Sequence, residues 1–236
     1  MAQRIYKDFK PEREPIFRVD SIAYSKMLLY VMNNKDEVAW HGLVSRGAGD
    51  MDHVFTLEEV FLFPQKVTGA SVTVDDYEYS AWFMNGIGND PERLKRFRFH
   101  GHSHPNFSVF PSGTDREYRE DMTENRKENS DDFFIFLIMN KYGNYSLELY
   151  DFKDMMKYET EEIEFVVMAS GKPANSFVLT DVLDDITSNV VNEGNCKTCL
   201  RHPVSYFEDA DTSDIDSFNE LVFGRPVASG TKQGEE

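Results

Sequence analysis

The apolar positions change period several times along the chain. Over residues 21–33, Ala23, Met27, Tyr30 and Val31 recur at helical spacing behind Asp20 or Ser21 as a cap, which predicts a helix. A polar turn over 33–36 leads into 37–45, which reads as a strand. Residues 54–67 are rich in Val, Phe and Leu and predict a second strand, interrupted at Pro64. Ser71-Val72-Thr73-Val74 alternates and predicts a third. The aromatic-rich run 75–85 predicts an acid-capped helix. Residues 97–102 alternate as a strand again, and a loop then leads to a helix whose first turn is Gly113-Thr114-Asp115-Arg116. The most apolar stretch lies in 131–139 (DDFFIFLIM), the pattern of a strand buried on both faces. Gly143-Asn144 predicts a hairpin turn into a strand over 145–152, and 161–168 reads as one more. Strands and helices mix without strict alternation, so the expected fold is an α/β sandwich on a mixed sheet, not a doubly wound parallel one.

Composition bounds the reading. At 236 residues, 40% hydrophobic and 14% aromatic, the chain can build a sizeable core. Acidic residues outnumber basic ones by 42 to 25, a net charge of −17, which makes nucleic acid an unfavourable partner. No apolar run approaches the roughly 18 residues of a membrane span, so no membrane association is expected. The charged N-terminus lacks the apolar core of a secretion signal, and two cysteines do not make a disulfide scaffold. A soluble, cytoplasmic protein is the expectation. Residues 1–16 look like an N-terminal arm and 17–169 like the main domain. From 170 to 236 the chain becomes polar, acidic and short of core residues, apart from a candidate helix over 178–191. It ends in a segment with the look of a frayed tail.

Metal-type side chains are dense in one place: His100-Gly101-His102-Ser103-His104-Pro105, followed by Pro111-Ser112-Gly113-Thr114-Asp115. Two histidines at i and i+2 on an extended segment face the same way and can converge on one ion. His102 and His104 fit best, because Pro105 biases His104 toward an extended backbone. His100 has the same parity, so spacing alone also allows His100 with His102. A catalytic zinc takes three protein ligands and keeps one open position, and Asp115 in the first turn of the next helix supplies a third ligand. Each piece also has an ordinary explanation. An H-x-H is commonly a hydrogen-bonded pair, and Ser112-x-x-Asp115 is a helix capping box. Their concentration within fourteen residues favours a shared ion.

The arrangement resembles the signature of the JAMM (MPN-plus, JAB-domain) zinc metalloproteases. That signature is H-[ST]-H, usually a proline, six residues, then serine, two residues and aspartate. Here it stands as His102-Ser103-His104-Pro105, residues 106–111, Ser112, Gly113-Thr114 and Asp115. The family also has a glutamate at the start of the strand after the first helix, and Glu37-Val38-Ala39-Trp40-His41-Gly42-Leu43-Val44 looks like that segment. The family more often has small residues where Trp40 and His41 stand. The resemblance covers roughly 17–168 and implies an MPN/JAB-type mixed β-sheet flanked by helices, here with an acidic C-terminal extension. It implies Zn2+ on His102, His104 and Asp115, with Glu37 as catalytic acid/base and Ser112 as an oxyanion donor. Glu58 and Glu59 are the rival acids. The implied substrates are ubiquitin-like or peptide-tagged proteins, cut at isopeptide or peptide bonds.

Two other readings stand beside this one. A metal-free MPN-type interaction scaffold would keep the fold without the chemistry, and a JAMM peptidase could act on a non-ubiquitin substrate such as a cell-wall-like peptide. Alternating Val72 and Val74 offer an edge on which an extended substrate tail could pair. Cys196-Lys197-Thr198-Cys199 with His202 gives three residues of zinc-binding type, for which Asp209, His53 or a dimer partner could complete a tetrahedron. Free thiols are the simpler reading. His41 and His53 read as ordinary polar or core histidines, and Trp40 and Trp82 as core packing.

Overall fold

The computed structural model describes residues 13–129, 131–171 and 179–193. Strand β1 (Ile16–Asp20) runs straight into helix α1 (Ser21–Met32), where the Asp20 carboxylate accepts from Ile22 N at 2.8 Å. That bond satisfies one of the donors a helix start leaves unpaired. Then come β2 (Ala39–Arg46), β3 (Val54–Leu62), β4 (Gln65–Thr68) and β5 (Ser71–Thr73). Helix α2 (Asp76–Phe83) passes through a π-helical turn at Met84–Gly88 before α3 (Pro91–Arg96). Strand β6 (Phe97–Ser103), helix α4 (Gly113–Glu128) and strands β7 (Phe133–Met139), β8 (Tyr145–Asp151), β9 (Met156–Glu159) and β10 (Glu164–Met168) follow. Helix α5 (Leu179–Asn189) and strand β11 (Val190–Asn192) complete the described elements.

Eight strands form one mixed sheet in the order β10-β1-β3-β2-β6-β7-β8-β9. Strand β1 runs parallel to β10 and β3, and β6 runs parallel to β7. The β2–β3, β2–β6, β7–β8 and β8–β9 pairs are antiparallel. A small second sheet has the order β11-β4-β5, leaving β5 at its edge. This mixed half-barrel flanked by helices matches an MPN/JAB-like architecture. Strands β6 and β7 are buried at all seven positions each, as the unbroken apolar run of β7 anticipates. Of the acidic extension over 170–236, residues 170–171 and 179–193 are described, the latter carrying α5 and β11, and the remainder lies outside the described residues. No helix of the described residues is long and apolar enough to cross a membrane.

The apolar run 54–67 is two strands in two sheets, not one interrupted strand. Proline lacks the N–H a ladder needs, so the chain leaves β3 at Phe63-Pro64 and re-pairs as β4. Gln65 makes the turn rigid: buried at 3% exposure, its amide accepts from Ala39 N at 2.8 Å and donates to Ala39 O at 2.7 Å. The first residue of β4 is thereby clamped to the first residue of β2. Ala39 in turn pairs with His102 across the β2–β6 ladder. Trp40 is fully buried, whereas Trp82 is half-buried against a small cluster of Leu43, Ile87 and Phe97.

Gly101 separates His100 from His102 on β6 and pairs with Trp40. A Cβ there would lie 2.5 Å from Trp40 Cε2, inside a side chain with no room to withdraw. Gly101→Ala is therefore expected to cost about 1–3 kcal/mol through overpacking. It should show as a lower denaturant midpoint with an unchanged slope, and an unchanged midpoint would refute the close approach.

Candidate metal centre

Strand β6 ends at Ser103, but its contact with β7 continues for one more residue, because His104 N donates to Met139 O at 2.9 Å. Pro105 ends the extended run, and its carbonyl accepts from Lys141 N at 3.3 Å. The loop over 105–111 then returns to α4. There Ser112 Oγ accepts from Asp115 N at 3.1 Å and an Asp115 carboxylate oxygen accepts from Ser112 N at 2.7 Å. The capping box predicted from spacing is thus real. It fixes the orientation of Asp115 and leaves its carboxylate facing the histidines.

His102 Nε2 and His104 Nε2 stand 3.2 Å apart. Asp115 Oδ1 is 3.2 Å from His102 Nε2, and Asp115 Oδ2 is 3.4 Å from His104 Nε2. Metal–ligand bonds of about 2.0–2.1 Å arranged tetrahedrally place ligand atoms about 3.3 Å apart, so these separations suit an ion such as zinc. His102, His104 and Asp115 form the one His/Cys/Asp/Glu cluster of that kind among the described residues. Only two rings of the His100–His104 run join it. His100 instead stands against His41 and Tyr118, with ring centroids 5.1 and 5.0 Å away.

The electrostatics of the cluster follow from burial and proximity. Burial holds His102 below the ordinary histidine value despite its bond to Asp115. Burial opposes charge on His104 too, but its bonds to Asp115 and the Ser108 carbonyl, with the charge of Glu37, outweigh it and raise its pKa. Partial burial alone would raise Asp115, yet the two histidines and Ser112 hold its carboxyl well below the usual range. His104 Nδ1 meets the Ser108 carbonyl at 2.8 Å, and when the ring is neutral, donation there turns the Nε2 lone pair toward Asp115 and His102. A buried set of nitrogen and carboxylate donors, one of them anchored by a backbone carbonyl, fits a zinc ion.

Glu37 lies two residues before β2, where its N–H donates to Thr68 O at 3.0 Å. Its Oε1 is 3.9 Å from His104 Nε2. Burial pushes its carboxyl up to about 7, against the pull of His104 and with help from Asp115. The rival acids are engaged elsewhere on β3, Glu58 with Arg96 and Glu59 with Arg93. Ser112 is exposed at the mouth of the site with its oxygen in the cap. Cys196, Cys199, His202 and Asp209 fall outside the described residues, and His53 is half-buried at the far end of β1, its carbonyl accepting from Ile16 N.

Sequence reasoning missed Ser103, the middle residue of the motif. It is fully buried, its Oγ accepts from Val38 N at 3.0 Å, and its N–H donates to Val38 O at 2.8 Å. One residue therefore ties the strand of the histidines to the backbone beside Glu37. Its place between two ligand candidates was the available signal. The Ser108 carbonyl left none, because a backbone acceptor has no sequence signature.

No family model matches the chain, and no curated protein matches it. The fold and the site by themselves define a His-His-Asp metal-binding cluster on a mixed α/β half-barrel, consistent with the JAMM/MPN-like metalloprotease superfamily.

Two outcomes follow from this geometry. Ser103→Ala leaves the buried Val38 N–H without a partner and should cost about 1–3 kcal/mol of stability, read by denaturant unfolding. Metal affinity should fall with it, and a variant as stable as the native chain would remove the clamp from the account. The second concerns His41, enclosed by Phe63, Tyr79, Trp82 and Phe97, where burial lowers its pKa to about 3. Between that value and the unfolded value of about 6.5, the unfolded chain holds the extra proton. The contribution is therefore complete above pH ~6.5 and is lost as pH falls, by up to about 1.4 kcal/mol per unit. His41→Phe should flatten that slope in acid titrations of metal-free protein.

Proposed function

We propose that the protein is a zinc-dependent hydrolase of isopeptide or peptide bonds, acting in the cytoplasm after a ubiquitin-like or peptide-tagged protein. The observation that carries this reading is geometric: a partly buried carboxylate, Glu37, stands across from the His102–His104–Asp115 cluster with its Oε1 3.9 Å from His104 Nε2. A structural metal site needs no such group. Zinc bound by the three residues would acidify a water toward pH ~7 and polarise the scissile carbonyl.

Glu37 takes a proton from the attacking water as its oxygen adds to the carbonyl carbon. It then gives that proton to the amine nitrogen as the C–N bond breaks. Burial favours the protonated carboxyl and a bound dication would oppose it, so the same group can take up the proton and release it. Ser112 Oγ accepts from the Asp115 backbone, which leaves its own hydrogen free to donate to the developing oxyanion. Strand β5 is the edge of its sheet, and Ser71, Val72 and Val74 border the same cavity as Glu37 and Asp115. An extended substrate tail can therefore add to β5 by backbone pairing while its carbonyl reaches the cluster.

Glu37→Gln keeps the size of the side chain and removes proton transfer. Cleavage across a panel of ubiquitin-like C-terminal fusions and peptides should fall about 10²–10⁴-fold, with zinc content by mass spectrometry unchanged. Undiminished cleavage with zinc retained would refute the role of Glu37.

A further inference from the structure

Strand β7 ends at Met139, and the chain turns over residues 140–144 into β8. Asn140 opens that turn: its backbone carbonyl accepts from Gly143 N at 3.2 Å, and Gly143 takes a positive φ of 77°. The Asn140 side chain is buried at 3% exposure. Its Oδ1 accepts from Tyr142 N and from Asn144 N, each at 3.0 Å. Those two bonds are ordinary turn chemistry, which an aspartate supplies as well.

The other half of the amide faces a different part of the chain. Nδ2 donates to Phe107 O at 3.0 Å, across 33 residues of sequence. With two N–H groups on one side and a carbonyl on the other, the oxygen and nitrogen of the amide cannot exchange places. Phe107 belongs to the loop over 105–111 that joins the histidine strand to α4, and Lys141 N holds the start of that loop through Pro105 O at 3.3 Å. Residues 106–108 are exposed, so packing does little to place them and hydrogen bonds must. The next carbonyl along, that of Ser108, is the one that meets His104 Nδ1 at 2.8 Å.

We propose that Asn140 is a positioning residue for the metal centre: by fixing the Phe107 peptide it sets the Ser108 carbonyl, which holds the His104 ring toward His102 and Asp115. A ligating imidazole needs its other nitrogen held, because a ring free to turn or to change tautomer meets the metal only part of the time. Here the acceptor is a backbone carbonyl on an exposed loop, and the buried amide of Asn140 supplies the rigidity that such a loop lacks. The turn itself needs only an acceptor at this position, so the donor half of the side chain serves the loop. The proposal rests on the zinc reading of the cluster and goes beyond its three ligands.

Asn140→Asp keeps the shape and both Oδ1 bonds and replaces the donor with an oxygen that repels the Phe107 carbonyl. Its added negative charge favours a nearby cation, so a loss of zinc affinity cannot come from charge. On the full chain, competition with a chromophoric chelator should show zinc bound about 10–100-fold more weakly. Asn140→Ser, uncharged and too short to reach Phe107, should repeat that loss. In zinc-loaded protein, the His104 Nδ1–H resonance, protected from exchange in the native chain, should broaden or vanish in both variants. Asn33→Asp is the control, because Asn33 Nδ2 donates to Leu29 O at 2.9 Å at the end of α1, a bond of the same kind away from the loop. It should lower the denaturant midpoint and leave zinc affinity unchanged. Affinity within about twofold of native in both Asn140 variants, or an unchanged Nδ1–H resonance, overturns the proposal. An equal loss of affinity in Asn33→Asp overturns it as well, by making general stability the cause. Neither readout involves cleavage, so the proposal can fail while the zinc reading stands, whereas a native chain that binds no zinc refutes both.

Discussion

Two imidazole nitrogens and a carboxylate stand 3.2–3.4 Å apart, a spacing at which either protons on the rings or a metal ion must lie between the three groups. The rest of the structure keeps that spacing in place. Ser103 locks the histidine strand to the backbone beside Glu37, Gln65 locks β2 to β4, and the Ser112 cap fixes Asp115 from the opposite side. None of these bonds is strong alone, at about 1 kcal/mol net each. Together they hold donors from two elements in a geometry that neither element would keep by itself. The carboxylate of Asp115 does double duty, and the capping and metal-ligand readings of Ser112-x-x-Asp115 describe one arrangement.

Much of this could be read from the residues, and the parts that could not have physical reasons. Helix α1, strands β6 and β7 and the cap of α4 follow from periodicity and side-chain chemistry that act locally. Strand β1 has only five residues and owes its place to β10 and β3, far away in sequence, so the pattern around Ile16–Asp20 carried little signal. The short strand β9 was missed for a similar reason. Helix α3 was missed although Asp90-Pro91 is a cap followed by proline at the first helical position, a signal that was present. Pro64 marked a break, but the separate sheet that the chain joins after it is made by β5 together with β11, which is far away in sequence.

At the site, the spacing of the histidines left two pairs open, and only the ladder with β7 separates them. His104 is carried past the end of β6 by its bond to Met139 and turns toward Asp115, while His100 turns into the aromatic wall around His41. The motif therefore contains three histidines of equal parity with two different jobs. All three are buried, and their neighbours explain the division: His100 stands among rings, whereas His104 faces two carboxylates that favour its charge. What the residues could not reveal was the cavity, because its walls come from six separate elements of the fold.

X-ray absorption at the zinc edge of the purified full chain tests the central claim most directly. The account predicts a shell of nitrogen and oxygen atoms at about 2.0–2.2 Å containing two imidazoles, lost in the His102→Ala, His104→Ala double variant. Sulfur scattering at about 2.3 Å that persists in that variant, or no zinc retained by the native chain after reconstitution, would contradict it.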